Sequence, residues 1–162
     1  LISDKTNIAI ESKWTEKIGD YCINQKSKRK NEVQQHWINI ISKYIGKDLA
    51  IEQFSYIEYQ LLHRVASACS LNKDNCIVTY QIFYTDLLSD SFINEIVKIK
   101  SILDITKIKF YVDSVKIDFT DTYLRLRNEI KDLNKKTKID KIKDTIKQND
   151  LFTFSNESLY QL

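Results

Sequence analysis

Lys107-Ile108-Lys109-Phe110-Tyr111-Val112-Asp113-Ser114-Val115-Lys116-Ile117-Asp118-Phe119 is the stretch whose reading decides the fold. Ile108, Phe110 and Val112 alternate with Lys107, Lys109, Tyr111 and Asp113, the period of two that a half-buried strand requires. Val115, Ile117 and Phe119 resume the alternation after Asp113-Ser114, so the stretch reads as a β-hairpin turning at that pair. On its N-terminal side, Ser89-Asp90-Ser91 is a start signal for a helix carrying Ile93, Ile96, Val97 and Leu103. Before that lies Cys76-Ile77-Val78-Thr79-Tyr80, rich in β-formers, followed by a short helical pattern through Phe83, Leu87 and Leu88. Further back, Ser55-Tyr56-Ile57-Glu58 has the Ser-x-x-Glu form of a capping box. It opens a helix with Ile57, Leu61, Val65 and Cys69 on one face. Residues 55–119 therefore read as helix, short strand, helix, helix, hairpin.

Outside this block the pattern is helical. Ile10, Trp14, Ile18, Tyr21 and Cys22 follow helical spacing over Thr6–Gln25, in a helix that Gly19 weakens by about 1 kcal/mol relative to alanine. Val33, Trp37, Ile40, Ile41, Tyr44 and Ile45 make the cleanest amphipathic stripe, with Gly46 placed to terminate it. On the C-terminal side Thr120-Asp121 caps a helix bearing Tyr123, Leu126, Ile130 and Leu133. The stripe then slips, and Ile139, Ile142 and Ile146 form their own set. Either one long helix rotates its apolar face, or Asn134-Lys135-Lys136 is a bend and Thr137 caps a second helix; the bend is favoured. The tail from Leu151 to Leu162 carries Phe152, Phe154, Leu159, Tyr160 and Leu162, too apolar for a solvated end, and docks on the domain or on another chain.

The 162 residues suit one domain, divided into a helical extension (6–54), a core (55–119) and C-terminal helices with a tail (120–162). No apolar run approaches the ~18 residues of a membrane span, and no secretory signal is present at the start of the chain. With no methionine and Leu1 first, the chain reads as a processed product or an excised fragment. Cys22, Cys69 and Cys76 could pair only in part. Cys69 and Cys76 could bridge the Asn72–Asn75 turn, but an odd count on apolar faces favours buried free thiols and an intracellular (cytoplasmic or nuclear) setting.

Catalysis has little to work with in the linear sequence. His36 and His63 have no metal-ligand spacing to other residues, and two glycines, Gly19 and Gly46, cannot build a phosphate-binding loop. The expectation is a protein without cofactor and without catalytic residues, although scattered acids could still converge in three dimensions. Charge says more. Lys98 to Lys147 holds 14 Lys and Arg against 8 Asp and Glu, whereas residues 1–97 hold 11 against 12. Candidate nucleic-acid contacts are Lys26, Lys28, Arg29 and Lys30 in one basic run, and Lys98, Lys100, Lys107, Lys109 and Lys116 on the third helix and hairpin. Alternating lysines also suit the solvated face of an edge hairpin. The third helix, moreover, exposes Asn94, Lys98, Lys100 and Ser101 but no arginine for reading guanine.

In its element order, 55–119 resembles winged-helix domains. Ser55-Tyr56-Ile57-Glu58-Tyr59-Gln60-Leu61-Leu62, with Val78-Thr79-Tyr80-Gln81-Ile82-Phe83-Tyr84, is similar to the winged-helix end of origin-recognition initiators. Ser91-Phe92-Ile93-Asn94-Glu95, with the Lys107–Asp118 run, is similar to the winged half of PCI scaffold domains. The resemblance implies a mostly α (α+β) fold with a winged-helix-like core, its third helix and wing facing a partner. The function expected is a non-catalytic protein-interaction module of a larger assembly, with Phe152, Phe154 and Tyr160 as partner contacts. The alternative is a DNA- or RNA-binding module. A membrane partner is not expected.

Overall fold

The computed structural model of the chain describes residues 4–14, 19–87, 90–103 and 107–162, with the side chains at 156 and 157 excepted. Strand β1 (Thr6–Trp14) leads through a 3-10 turn to α1 (Lys28–Ile45) and, after a second such turn, α2 (Tyr59–Cys69). Then come β2 (Asn75–Tyr84), α3 (Asp90–Leu103), β3 (Ile108–Phe119), α4 (Asp121–Glu129), α5 (Lys135–Ile146) and β4 (Phe152–Gln161). Among the described residues the strands form one mixed sheet in the order β1-β2-β3-β4, with β1, β2 and β3 parallel and β4 antiparallel to β3. Among those residues, too, no helix is long and apolar enough to cross a membrane.

Two successive crossovers that step in the same direction along the sheet and share one hand place their helices on one face of it. Burial agrees. Cys76, Val78, Tyr80 and Ile82 of β2, with Ile108, Phe110 and Val112 of β3, are buried under α2 and α3. α1 packs on α2 as a further layer, contributing Ile38, Ile41 and Ile45 to the same core. The opposite face carries a smaller cluster at one end: Trp14, Phe119 and Phe152 with Tyr123 of α4, joined by ring contacts such as Phe119–Tyr123 at 4.4 Å and Trp14–Phe152 at 5.1 Å, while Phe83 meets Phe154 at 6.0 Å.

This architecture replaces the winged-helix reading. The decisive stretch is one continuous strand, β3, with an irregularity in register between Ser114 and Lys116. Its apolar residues change faces without a turn: β3 stays in register with β2 through Lys116, so Ile108, Phe110 and Val112 face the helices while Val115, Ile117 and Phe119 face the other side. β4 supplies the antiparallel partner that a second hairpin arm would have been. The presumed recognition helix, α3, is the crossover between parallel β2 and β3. The helical N-terminal extension is also corrected: Thr6–Trp14 is an edge strand paired in parallel with Asn75–Phe83. Ile10 and Trp14 are four residues apart, an even number, so a strand and a helix both place them on one face. Phe83 and Tyr84 prolong β2 in place of a short helix, and the helical and start signals at Leu88 and Ser89 lie outside the described residues.

Other local readings hold. α1 ends at Gly46, whose φ of 74° is the left-handed conformation that glycine adopts without a Cβ clash. Thr120 caps α4 by accepting from the Tyr123 amide at 3.2 Å. The bend before α5 is present, with Asn134 as the cap where Thr137 was expected; its Oδ1 accepts from the Thr137 amide at 3.1 Å. The tail docks on the domain as β4, and Cys22, Cys69 and Cys76 are buried free thiols.

Candidate functional site

Along β1 the usual pattern of polar-out and apolar-in is reversed at its carboxyl end. Glu11 and Lys13 alternate onto the helix-covered face, while Ile10 and Trp14 are 44 % and 40 % exposed on the other. Glu11 lies in register with Tyr80 of β2. Because α2 runs back toward the start of β2, its first turn stands over the carboxyl ends of the parallel strands and brings Glu58 there. α3 crosses from β2 to β3 and adds Glu95.

These residues form one connected network. Lys13 Nζ is 3.2 Å from Glu11 and 3.5 Å from Glu58, and it also donates to the Gln60 side chain. The Arg64 Nε group donates to the second oxygen of Glu11. Glu58 accepts from the Tyr80 hydroxyl at 2.7 Å and from the Gly19 amide at 3.0 Å. Gly19 is needed for that approach, since a Cβ there would stand 2.8 Å from Glu58 Oε1. The Glu58 amide donates to Glu95 at 3.3 Å, and Lys98 donates to the other Glu95 oxygen while lying over the Tyr21 ring at 5.6 Å. Three carboxylates thus meet three cations.

Burial is the unusual feature. Glu58, Glu95 and Lys13 are 0 %, 1 % and 2 % exposed. Taking such groups out of water costs several kcal/mol per ion, and a well-packed apolar set of the same volume would be as stable or more so. Burial by itself would raise the pKa of Glu11, but the bonds from Arg64 and Lys13 outweigh it and hold the carboxyl below its usual range. Burial and the neighbouring Glu58 push the Tyr80 hydroxyl well above its usual value, so it stays a donor. The Lys98 ammonium is held protonated by its bond to Glu95. Gln60 is exposed, and the Arg64 and Lys98 side chains are partly so, which connects the buried charges to the surface. Among the described residues no group of three or more His, Cys, Asp or Glu is arranged to hold a metal ion. The positive charge between Glu11 and Glu58 is Lys13's own.

The residues singled out from sequence are scattered. Lys26, Lys28, Arg29 and Lys30 are exposed around the start of α1, where Lys28 lies 4.0 Å from Glu32 and Lys30 donates to Gln25. Lys109 is exposed on β3, Lys107 is exposed just before it, and Lys116 pairs with Asp118 at 3.4 Å. With no wing, these three do not share a wing surface with Lys98 and Lys100 of α3. Phe152 is half-buried in the aromatic cluster, Phe154 is 65 % exposed, and Tyr160 packs on the main core. His63 stacks on Trp37 at 4.7 Å, and burial lowers its pKa.

The network itself went unseen in the sequence. Helical spacing over Thr6–Gln25 places Glu11 and Lys13 inside a helix, and the Ser-x-x-Glu pattern makes Glu58 half of a capping box. In the structure Ser55 follows a 3-10 turn and Glu58 occupies the N-cap position of α2 without capping it. The available signal was the pair Glu11-x-Lys13 in a β-branched run, which only a strand assignment would have placed on one face.

Residues 2–126 match the model of a family described as Domain of unknown function (DUF6946), and the chain belongs to that family. No curated protein and no solved structure matches it.

Proposed function

We propose that this DUF6946 protein hydrolyses phosphodiesters of nucleic acid at the Glu11–Lys13 end of its sheet. The observation that carries the reading is Lys13, buried between Glu11 at 3.2 Å and Glu58 at 3.5 Å at the carboxyl end of a parallel strand. Open α/β sheets bind ligands outside the carboxyl ends of their strands where the strand order reverses; the order β1-β2-β3 has no reversal, so the location rests on the charges that α2 and β1 gather at that end. A buried cluster of ionisable groups whose net contribution to stability is small is a candidate functional site. The choice of a phosphodiester rests on charge. Phosphoryl transfer accumulates negative charge on the phosphate oxygens, and Lys or Arg placed in a dry site stabilises it. Lys13 and Arg64 supply those charges beside a carboxylate, and Lys98 stands at the surface for a neighbouring phosphate.

In this reading the substrate phosphate draws Lys13 and Arg64 from the Glu11 oxygens, which restores the basicity their bonds suppress, and Glu11 takes a proton from water. The hydroxide forms a bond to phosphorus as the ester P–O bond breaks. The leaving oxygen takes a proton from the Lys13 ammonium, which regains one from the Glu11 carboxylic acid. Glu58, fixed by Tyr80 and Gly19, positions Lys13. The reading departs from the expectation of a non-catalytic module and keeps the nucleic-acid partner of the alternative.

The test is cleavage of end-labelled single-stranded and duplex oligonucleotides in magnesium buffer. Wild type is expected to cut at least one of them. Glu11→Gln, folded by circular dichroism, should cut it about 100-fold or more slowly, the loss typical of a removed general base. Absence of cleavage by the folded wild type, or equal rates for the variant, would defeat the proposal.

A further inference from the structure

On the opposite side of the sheet from the charge network, α4 and α5 form a groove of about 360 Å³ lined by Tyr123, Leu126, Ile130, Ile142, Ile146 and Phe152. The two helices are clamped by Lys141 and Glu129 at 2.6 Å. No residue of α5 is buried, and Ile146 is 52 % exposed, so the apolar face of this helix is uncovered. Arg127 lines the groove and, with Lys131, an adjoining cleft of about 530 Å³. Neither cation has an ion-pair partner among the described residues, whereas Lys147 pairs with Asp144 nearby.

We infer that this groove is a docking site for an amphipathic helical segment of another protein, with aliphatic side chains on one face and acidic residues flanking them. The carbon-lined floor takes aliphatic anchors at helical spacing. Arg127 on the rim of the groove, with Lys131 in the cleft that shares Arg127, selects for carboxylates. A second copy of this chain fits less well, because a two-fold contact sets the same patch against itself and the described lining of the patch holds no carboxylate to meet Arg127 and Lys131. Duplex nucleic acid fits less well because an apolar floor offers its phosphates nothing. The inference is independent of the catalytic reading. The groove lies on the other face of the sheet, and most of its lining, from Ile130 onward, is beyond the residues matched by the family.

The test uses the full chain and a fluorescent helical peptide of about 14 residues with leucines at i, i+3, i+4 and i+7 and glutamates beside them. A second peptide has lysine in place of every glutamate. The glutamate peptide is expected to bind, several-fold more weakly at about 200 mM than at about 50 mM salt, and the lysine peptide at least 10-fold more weakly. Arg127→Glu with Lys131→Glu should reverse that preference, and Ile146→Asp, at an exposed position that leaves the fold intact, should abolish binding. Equal binding of the two peptides, binding of neither, displacement of the glutamate peptide by duplex DNA, or concentration-dependent dimerisation lost in Ile146→Asp would overturn the inference.

Discussion

Lys13→Ala is expected to destabilise the protein by about 3–5 kcal/mol, the cost of leaving a buried carboxylate without its cation. Lys13 is 2 % exposed and lies within 3.5 Å of both Glu11 and Glu58. Arg64 still reaches Glu11 in the variant, so the uncompensated charge is mainly that of Glu58, which keeps the Tyr80 hydroxyl and the Gly19 amide as its donors. Lys13→Met combined with Glu58→Gln should lose less than the single truncation, because the buried charge leaves together with its partner. Urea unfolding of the three proteins measures this. A loss below about 1 kcal/mol for Lys13→Ala, inside the range of a solvent-exposed pair, would show that the network is open to water.

The second large effect is expected at Phe110. Its ring is 1 % exposed, and β3 has β2 on one side and β4 on the other, so the backbone around it cannot collapse into the space. Phe110→Ala should therefore cost about 3–5 kcal/mol, a large part of the roughly 5–15 kcal/mol that holds a domain folded. Lys109→Ala, one residue away on the exposed face of the same strand, should change stability by no more than about 0.5 kcal/mol. Comparable losses at the two positions would contradict the placement of β3 inside the sheet.

The helical parts of the molecule were legible because their signals are local. The α1 stripe ending at Gly46, the Thr120 cap and the break at Asn134 each lie within one or two turns of chain, and each stands in the structure. The sheet was not legible, for two physical reasons. Parallel pairing joins Thr6 to Asn75 and Cys76 to Ile108, across separations that no local pattern records. The apolar residues of β3 also pass from one face of the sheet to the other between Val112 and Val115, a change of phase that reads as a turn. The charge network was hidden by the same logic that finds cores. Binary patterning assigns Glu11 and Lys13 to solvent and Ile10 and Trp14 to the interior, and here both are reversed. Among ionisable groups such reversals cost stability, which is why they point to a site.

The most direct measurement is a backbone amide NMR titration of the Glu11→Gln protein, in which turnover is slowed, with a short single-stranded oligonucleotide. If the oligonucleotide occupies the carboxyl ends of the parallel strands, the largest shift changes fall at Lys13, Gly19, Glu58 to Arg64, Tyr80 and Glu95 to Lys98. Changes confined to Lys26–Lys30 or to α4 and α5, with that network undisturbed, would contradict it.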